Sequence, residues 1–127
     1  MDTPGKYLLL IYLAANAREE WEAMSPAEQA AGLDLHARLR EDLAGSGELV
    51  VAEALADGSA ARQVRVVDGR TQTTDGPFGE SKEFLAGFYL VECESLDRAT
   101  EHAARLPEAT FGRVEVRPVL QLGGGEM

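Results

Sequence analysis

The segment Gln63–Tyr89, with the sequence QVRVVDGRTQTTDGPFGESKEFLAGFY, carries the strongest fold signals in this chain of 127 residues. Polar and apolar residues alternate up to Asp68-Gly69, a dipeptide that readily adopts the positive φ angles of a tight hairpin turn. The pattern therefore predicts a β-hairpin whose second strand is Arg70–Thr74. Asp75-Gly76-Pro77-Phe78 then breaks the strand, because proline lacks an N–H donor and fixes its own φ.

Downstream of this break the chain predicts a strand, a helix and a strand. The long strand Leu85–Glu94 places Phe88 and Tyr89 on opposite faces of a sheet. Ser95 is predicted to cap a helix that stops at Pro107. The apolar stripe of this helix is Leu96, Ala99, Ala103 and Leu106, and His102 is expected to be a solvated surface residue. The last strand is predicted at Val114–Leu122.

Upstream of the hairpin, a strand and a helix are predicted before a further strand at Leu49–Leu55. The continuous apolar run Tyr7–Tyr12 favours a central strand covered on both faces. Residues 13–24 have no regular pattern, and Trp21 is expected to pack them onto the core rather than to line a pocket. Ser25-Pro26-Ala27-Glu28 predicts a helix start with a capping box, and Gly45 and Gly47 predict its end. The predicted buried stripe of this helix is Ala27, Ala31, Leu35, Leu39 and Leu43.

The order of these elements predicts an α+β fold, a ferredoxin-like sandwich with one mainly antiparallel sheet and two helices on one face. One domain over residues 1–122 and a flexible tail over residues 123–127 are expected. The sheet face without helices carries Val51, Val119 and one aromatic row, too much apolar surface to leave in water. A homodimer that buries this face is therefore predicted.

Composition excludes several classes of protein. The formal net charge of −10 argues against a broad basic surface for nucleic acid or anionic membrane. The single cysteine, Cys93, allows neither an internal disulfide nor a CxxC motif. The apolar run Tyr7–Ala15 is too short to cross a bilayer, and the first residues lack a signal-peptide pattern, so a cytoplasmic location is expected. The two histidines have no metal-ligand spacing and no glycine-rich phosphate loop precedes a helix, so no cofactor is predicted.

Several spaced motifs together resemble the DGPF branch of the YCII-related proteins. They are Thr74–Phe78, Glu80 with Lys82-Glu83, Gly87-Phe88-Tyr89 and Glu115-Val116-Arg117-Pro118, and the resemblance covers Lys6–Val119. It implies a dimeric α/β barrel in a bacterial protein without an established reaction. Such proteins often occur next to, or fused to, sigma factors of the extracytoplasmic-function class. The resemblance therefore also implies a regulatory role as an alternative to catalysis.

The resemblance also implies a catalytic histidine, because His36 lies at the family's distance before Gly47-Glu48-Leu49. The family pairs this histidine with an aspartate near the end of the first strand, where this chain has Ala14-Ala15-Asn16. Asparagine can orient an imidazole, but it cannot stabilise the charged ring as a carboxylate does.

A cluster of charged residues around the DGPF segment supports two interpretations. In the first, Arg117 and Lys82 hold a small anionic ligand while Glu53 or Asp75 acts as a base. Phe78, Tyr89 and Glu115 would complete this polar pocket. In the second, the same charges form structural ion pairs that fix the DGPF loop against the sheet.

Two hypotheses of function follow from the sequence. The first is a small-molecule enzyme that performs acid/base chemistry without a metal, in a polar pocket near the DGPF loop. The second is a ligand-binding or regulatory module that contacts a sigma factor, for which an acidic surface suits a basic partner.

Overall fold

The computed structural model describes residues 4–77 and 82–120. The four-stranded sheet and its flanking helices follow the predicted order, with two short helices added. The elements are β1 (Gly5–Ala14), α1 (Ala17–Ala23), α2 (Pro26–Ser46), β2 (Leu49–Ala54), β3 (Arg62–Val67), β4 (Arg70–Asp75), β5 (Glu83–Cys93), α3 (Leu96–Ala104), α4 (Glu108–Phe111) and β6 (Arg113–Pro118).

The main sheet has the strand order β2-β5-β1-β6. Each neighbouring pair is antiparallel, so β1 and β2 run parallel to one another on either side of β5. This is the arrangement of a ferredoxin-like α+β fold, as the sequence predicted. The apolar run in β1 lies between β5 and β6, so it is a central strand of the sheet, as predicted.

The hairpin β3–β4 forms a separate two-stranded sheet. Asp68 and Gly69 have φ angles of 51° and 74°, so both turn residues occupy the left-handed region that a type I′ turn requires. The predicted hairpin is confirmed. Both strands are largely exposed, and Val64 and Val66 lie on one face with Thr73 and Thr71 opposite them.

The core lies between the main sheet and the long helices. Leu9, Tyr89 and Val91 face the buried side chains of Leu39 and Leu43 from α2. Ala99, Ala103 and Leu106 close the core from the α3 segment. Among the described residues, no helix combines the length and apolar character needed to cross a membrane.

Helix α2 begins as predicted but is buried over only part of its length. Ser25 accepts a hydrogen bond from the Glu28 N–H while the Glu28 side chain accepts one from the Ser25 N–H, which completes the capping box. Gly47, with φ 80°, ends the helix. The predicted stripe is wrong in its first half, because Ala27 and Ala31 are exposed and Leu35 is 44% exposed. That half of α2 borders a cavity instead of packing on the sheet.

Four further expectations need correction. The irregular segment 13–24 contains a helix, α1. A one-turn helix, α4, follows Pro107 where only a helix stop was predicted. Strand β6 ends at Pro118 rather than at residue 122, and residues 121–127, which include the predicted tail, lie outside the described part of the chain. In α3 the first residue of the predicted stripe, Leu96, is 42% exposed.

His102 is buried, with 4% of its surface exposed, which contradicts the expectation of a solvated residue. Its Nε2 lies 3.0 Å from the carboxylate of Glu48, at the start of β2. Arg98 donates two further hydrogen bonds to the same carboxylate, at 3.1 and 3.2 Å. Partial burial opposes ionisation of Glu48, but the hydrogen bonds from Arg98 and its neighbours outweigh it and lower the pKa from 4.5 to about 2. This network ties α3 to the edge of the sheet.

We expect Glu48→Gln to lower the free energy of unfolding at pH 7 by about 2 kcal/mol, because it leaves the buried His102 and Arg98 without their anion. The pKa of Glu48 is lowered in the folded chain, so its contribution is complete above about pH 4.5 and is lost as the pH falls toward about 2. The difference between wild type and variant should therefore shrink over that window in urea titrations.

Glu101→Gln is the matched control, because Glu101 contacts the same Arg98 from an exposed position. It should change stability by less than about 0.5 kcal/mol. A Glu48→Gln variant as stable as wild type at pH 7 would show that the network contributes nothing to folding.

Candidate functional site

A cavity of about 810 Å³ opens between the first half of α2 and the sheet. Its floor is formed by β1 and β5, where Ile11, Gly87 and Tyr89 are buried. Helix α1 and the loop after β2 border its mouth, and α4 closes one side. The cavity therefore lies where the two unpredicted helices meet the sheet.

Gly87 sets the distance between the floor and the edge strand β2. A Cβ at this position would lie 2.9 Å from the backbone oxygen of Glu53, closer than side chains approach in practice. Only glycine lets β2 and β5 come this near at that point.

His36 enters this cavity from α2 with both ring nitrogens engaged. Its Nδ1 lies 2.7 Å from the hydroxyl of Tyr89 on β5. Its Nε2 lies 2.8 and 2.9 Å from the two carboxylate oxygens of Glu108 on α4. The imidazole and the Tyr89 ring are nearly parallel, with an angle of 20° between them. We call Glu108, His36 and Tyr89 the relay.

The chemistry of the partners assigns the direction of these hydrogen bonds. An ionised carboxylate only accepts, so Nε2 carries a proton and donates to Glu108. In the neutral ring, Nδ1 is then an acceptor, and the Tyr89 hydroxyl donates to it. Burial raises the pKa of the Tyr89 phenol above its usual value, the positive charge of Arg40 opposes this, and the negative charge of Glu108 adds to the increase. Tyr89 is therefore protonated at neutral pH.

Glu108 is the member of the relay that was not predicted from the sequence. The expected partner of His36 was a residue at the end of β1, but Asn16 there bonds to Glu20 at 3.2 Å. Helix α4 supplies the carboxylate instead, from 72 positions along the chain. Glu108 directly follows Pro107, and a Pro-Glu pair at a helix start was the only local signal for it.

The other predicted base candidates do not join the relay. Asp75 is at the end of β4, where it pairs with Arg62 at 3.2 Å and its side chain is 82% exposed. Glu53 contributes to the cavity wall, but its register opposite Phe88 directs its side chain to the face of the sheet away from the helices. Tyr89, predicted as a binding residue, does line the cavity.

The predicted anion-binding residues are also apart from the cavity. Arg117 and Glu115 lie on β6, at the far edge of the sheet from β2, and their side chains pair at 2.9 Å. Lys82 is exposed just before β5 and contacts the end of β1 through its backbone oxygen. Phe78 falls outside the described residues. The structure thus brings together His36 and Tyr89 but not the predicted charged cluster.

Within residues 4–77 and 82–120, no group of three histidine, cysteine or carboxylate side chains is arranged to hold a metal ion. Cys93 is buried and donates a hydrogen bond to the backbone oxygen of Ser95. Burial raises the pKa of the Cys93 thiol, which keeps it in its unreactive protonated form.

Comparison with known proteins identifies the family. A family model for the YCII-related domain matches residues 6–123. The chain belongs to the YCII-related family. It is 42% identical over 84 residues to an uncharacterised protein of Rhizobium meliloti (strain 1021), an alignment that covers 65% of this chain and 68% of the relative. The relay in this YCII-related protein thus takes its carboxylate from α4, not from the end of the first strand.

The hydrogen-bond assignment predicts the tautomer of His36. At alkaline pH, ¹⁵N NMR should show a protonated Nε2 and an unprotonated Nδ1, because Glu108 fixes the proton. The Glu108→Gln variant should lose this preference, since an amide can donate as well as accept. Tyr89→Phe should retain it.

His102 is the internal reference for this measurement, because its Nε2 also faces a carboxylate, Glu48. Its signals should be unchanged in both variants. A wild-type His36 protonated on Nδ1 would contradict the assigned direction of the relay.

Proposed function

We propose that this YCII-related protein is a small-molecule enzyme that transfers protons without a metal, with the relay as its acid/base machinery. The observation that carries the proposal is the Glu108–His36–Tyr89 chain of short hydrogen bonds in the wall of a large cavity. A cavity of this size in which a few polar side chains converge is the usual location of an active site.

Tyr89 is the residue of the relay that meets the substrate. Both nitrogens of His36 are occupied by partners within the chain, so the imidazole offers no free atom to a ligand. When the substrate gives a proton to the Tyr89 oxygen, the Tyr89 proton passes to Nδ1. The products are a neutral tyrosine, an imidazolium beside Glu108 and a deprotonated substrate. The reverse transfer returns the proton.

Arg40 and Glu108 stabilise the charges that this transfer creates. The imidazolium forms against the Glu108 carboxylate, which is largely buried. The positive charge of Arg40 acts on the Tyr89 hydroxyl, so it also stabilises negative charge that develops on the substrate there. Such groups act most strongly when they are fixed before the charge develops.

Deuterium exchange tests this function. In D₂O, the wild type should accelerate exchange at the acidic carbon of at least one member of a panel of cyclic ketones, followed by ¹H NMR. Tyr89→Phe and Glu108→Gln should each slow that exchange by about 100-fold, the usual contribution of a positioned acid or base.

Two controls accompany these variants. Tyr12→Phe removes a hydroxyl outside the cavity, and Asp75→Asn removes the alternative base on the hairpin; both should retain full exchange. A wild type that accelerates no exchange, or variants that leave it intact, would overturn the proposal and favour a regulatory module, with a sigma factor as its partner.

We further propose that the chain forms a homodimer of the α/β-barrel type and belongs to the DGPF branch of the family. Two cross-strand rows cover the sheet face opposite the helices. They are Val51–Leu90–Leu8–Arg117 and Glu53–Phe88–Leu10–Glu115. The centre of this face is apolar and its edges are charged, which is the composition of a protein interface. The sequence Asp75-Gly76-Pro77-Phe78 supports the assignment of the chain to the DGPF branch.

We expect Phe88→Asp to convert the dimer into a monomer, because it places a charge at the centre of the apolar rows. Light scattering after gel filtration measures the mass directly. Val64→Asp, a similar change on the exposed hairpin, should leave the mass unchanged. A monomeric wild type would refute the dimer.

A further inference from the structure

Exposed apolar side chains converge on the mouth of the cavity. Ile11 and Tyr89 form a buried floor. The mouth is lined by five large hydrophobic side chains that are each more than a third exposed: Trp21, Leu33, Leu35, Leu55 and Phe111. Apolar surface concentrated in this way marks a place where a ligand binds. Once such a molecule enters, it removes this surface from water.

The charges around the cavity select against anions. Besides Glu53, whose side chain points to the other face of the sheet, four acidic residues line it, against two guanidinium groups. Arg18 pairs with Glu22 at 3.3 Å in solvent, and Arg40 is held at Tyr89. An anionic ligand would therefore lose its water beside an excess of negative charge, a cost that a neutral ligand of the same shape does not bear.

The floor of the cavity offers one polar contact. This contact is the hydroxyl group of Tyr89, and Arg40 lies beside Tyr89. The surrounding floor and mouth residues are apolar, so a ligand with several polar groups would leave most of them without partners.

Building on the proposed function, we infer that the substrate is an uncharged, mainly apolar molecule of about two or three rings that carries one carbonyl or hydroxyl group. A carbonyl oxygen accepts from Arg40, whereas a hydroxyl group donates to the Tyr89 oxygen, and the rings fill the space between Ile11 and Phe111. Cavities of about 300–1,000 Å³ hold ligands of this size. The negative charge of the reaction appears only when the proton leaves, beside Arg40. The cavity is thus built for a neutral ground state, in contrast to the anionic ligand expected from the sequence.

Three adamantane derivatives of nearly equal shape test this inference: 1-adamantanol, 1-adamantanecarboxylate and 1-adamantylammonium. Trp21 is the single tryptophan of the chain and lines the cavity, so its fluorescence reports occupancy without any turnover. None of the three probes absorbs where tryptophan is excited. At pH 8, the alcohol should bind about tenfold or more tighter than the carboxylate, and tighter than the ammonium compound, because the cation also loses its hydration on the apolar floor.

A pair of variants locates the binding. Phe111→Asp should weaken the binding of 1-adamantanol by about tenfold, because it places a charge in the apolar mouth of the cavity. Leu96→Asp is the matched control, since Leu96 is exposed to a similar degree but lies outside the cavity. It should leave the affinity unchanged.

The outcomes separate this inference from the proposed function. It is overturned if the carboxylate or the ammonium compound binds as tightly as the alcohol, if none binds, or if Phe111→Asp has no effect. Should any of these occur while deuterium exchange depends on Tyr89 and Glu108, proton transfer stands and only the substrate class is wrong. If the alcohol binds preferentially but no exchange activity is found, the cavity is a binding site for an apolar ligand and the proposed enzymatic function is wrong.

Discussion

The pairing of β1 with β5 determines where every other part of the molecule lies. Ten residue pairs join these two central strands, with a register shift after Ile11. Below the shift, Leu9 faces Tyr89 and places the phenol under α2. Above it, the strands reach toward α1, where the cavity opens. Displacement of this register by one residue would turn Tyr89 to the opposite face, because side chains alternate along a strand. Core, relay and outer face all depend on this one ladder.

Local signals in the sequence predicted most of the fold. Ser25-Pro26-Ala27-Glu28 specified the start of α2 through contacts within one helical turn, and Asp68-Gly69 specified a turn through its own φ angles. Such features depend on neighbours in the sequence, so a single chain is enough to infer them. The strand order followed from the sequence of elements. Helices α1 and α4 were missed because they are short and owe their stability to the sheet beneath them.

The site was predicted only in part, for a reason that its geometry makes plain. His36 was identified by resemblance and Tyr89 by its place on a strand. No local signal in the sequence indicated that the two side chains are in contact. Glu108 was not identified, because its role depends on a contact across 72 residues. The burial of His102 likewise depends on Glu48, 54 residues away. The charges near the DGPF segment are conspicuous in the sequence, yet Glu115 pairs with Arg117 and Asp75 pairs with Arg62, both outside the cavity.

The width of the cavity depends on the backbone at Gly87. The near contact at this point is between two stretches of backbone, so no exchange of one side chain for another can bring floor and edge strand closer. Any larger residue would push β2 outward and widen the chamber abruptly, with loss of strand pairing. Gradual change in the shape of the chamber therefore comes from the side chains around this point, on the strands as well as on α1, α2 and α4. Divergence in ligand preference among related chains would be recorded in those side chains, while a glycine at position 87 kept the spacing of the two strands.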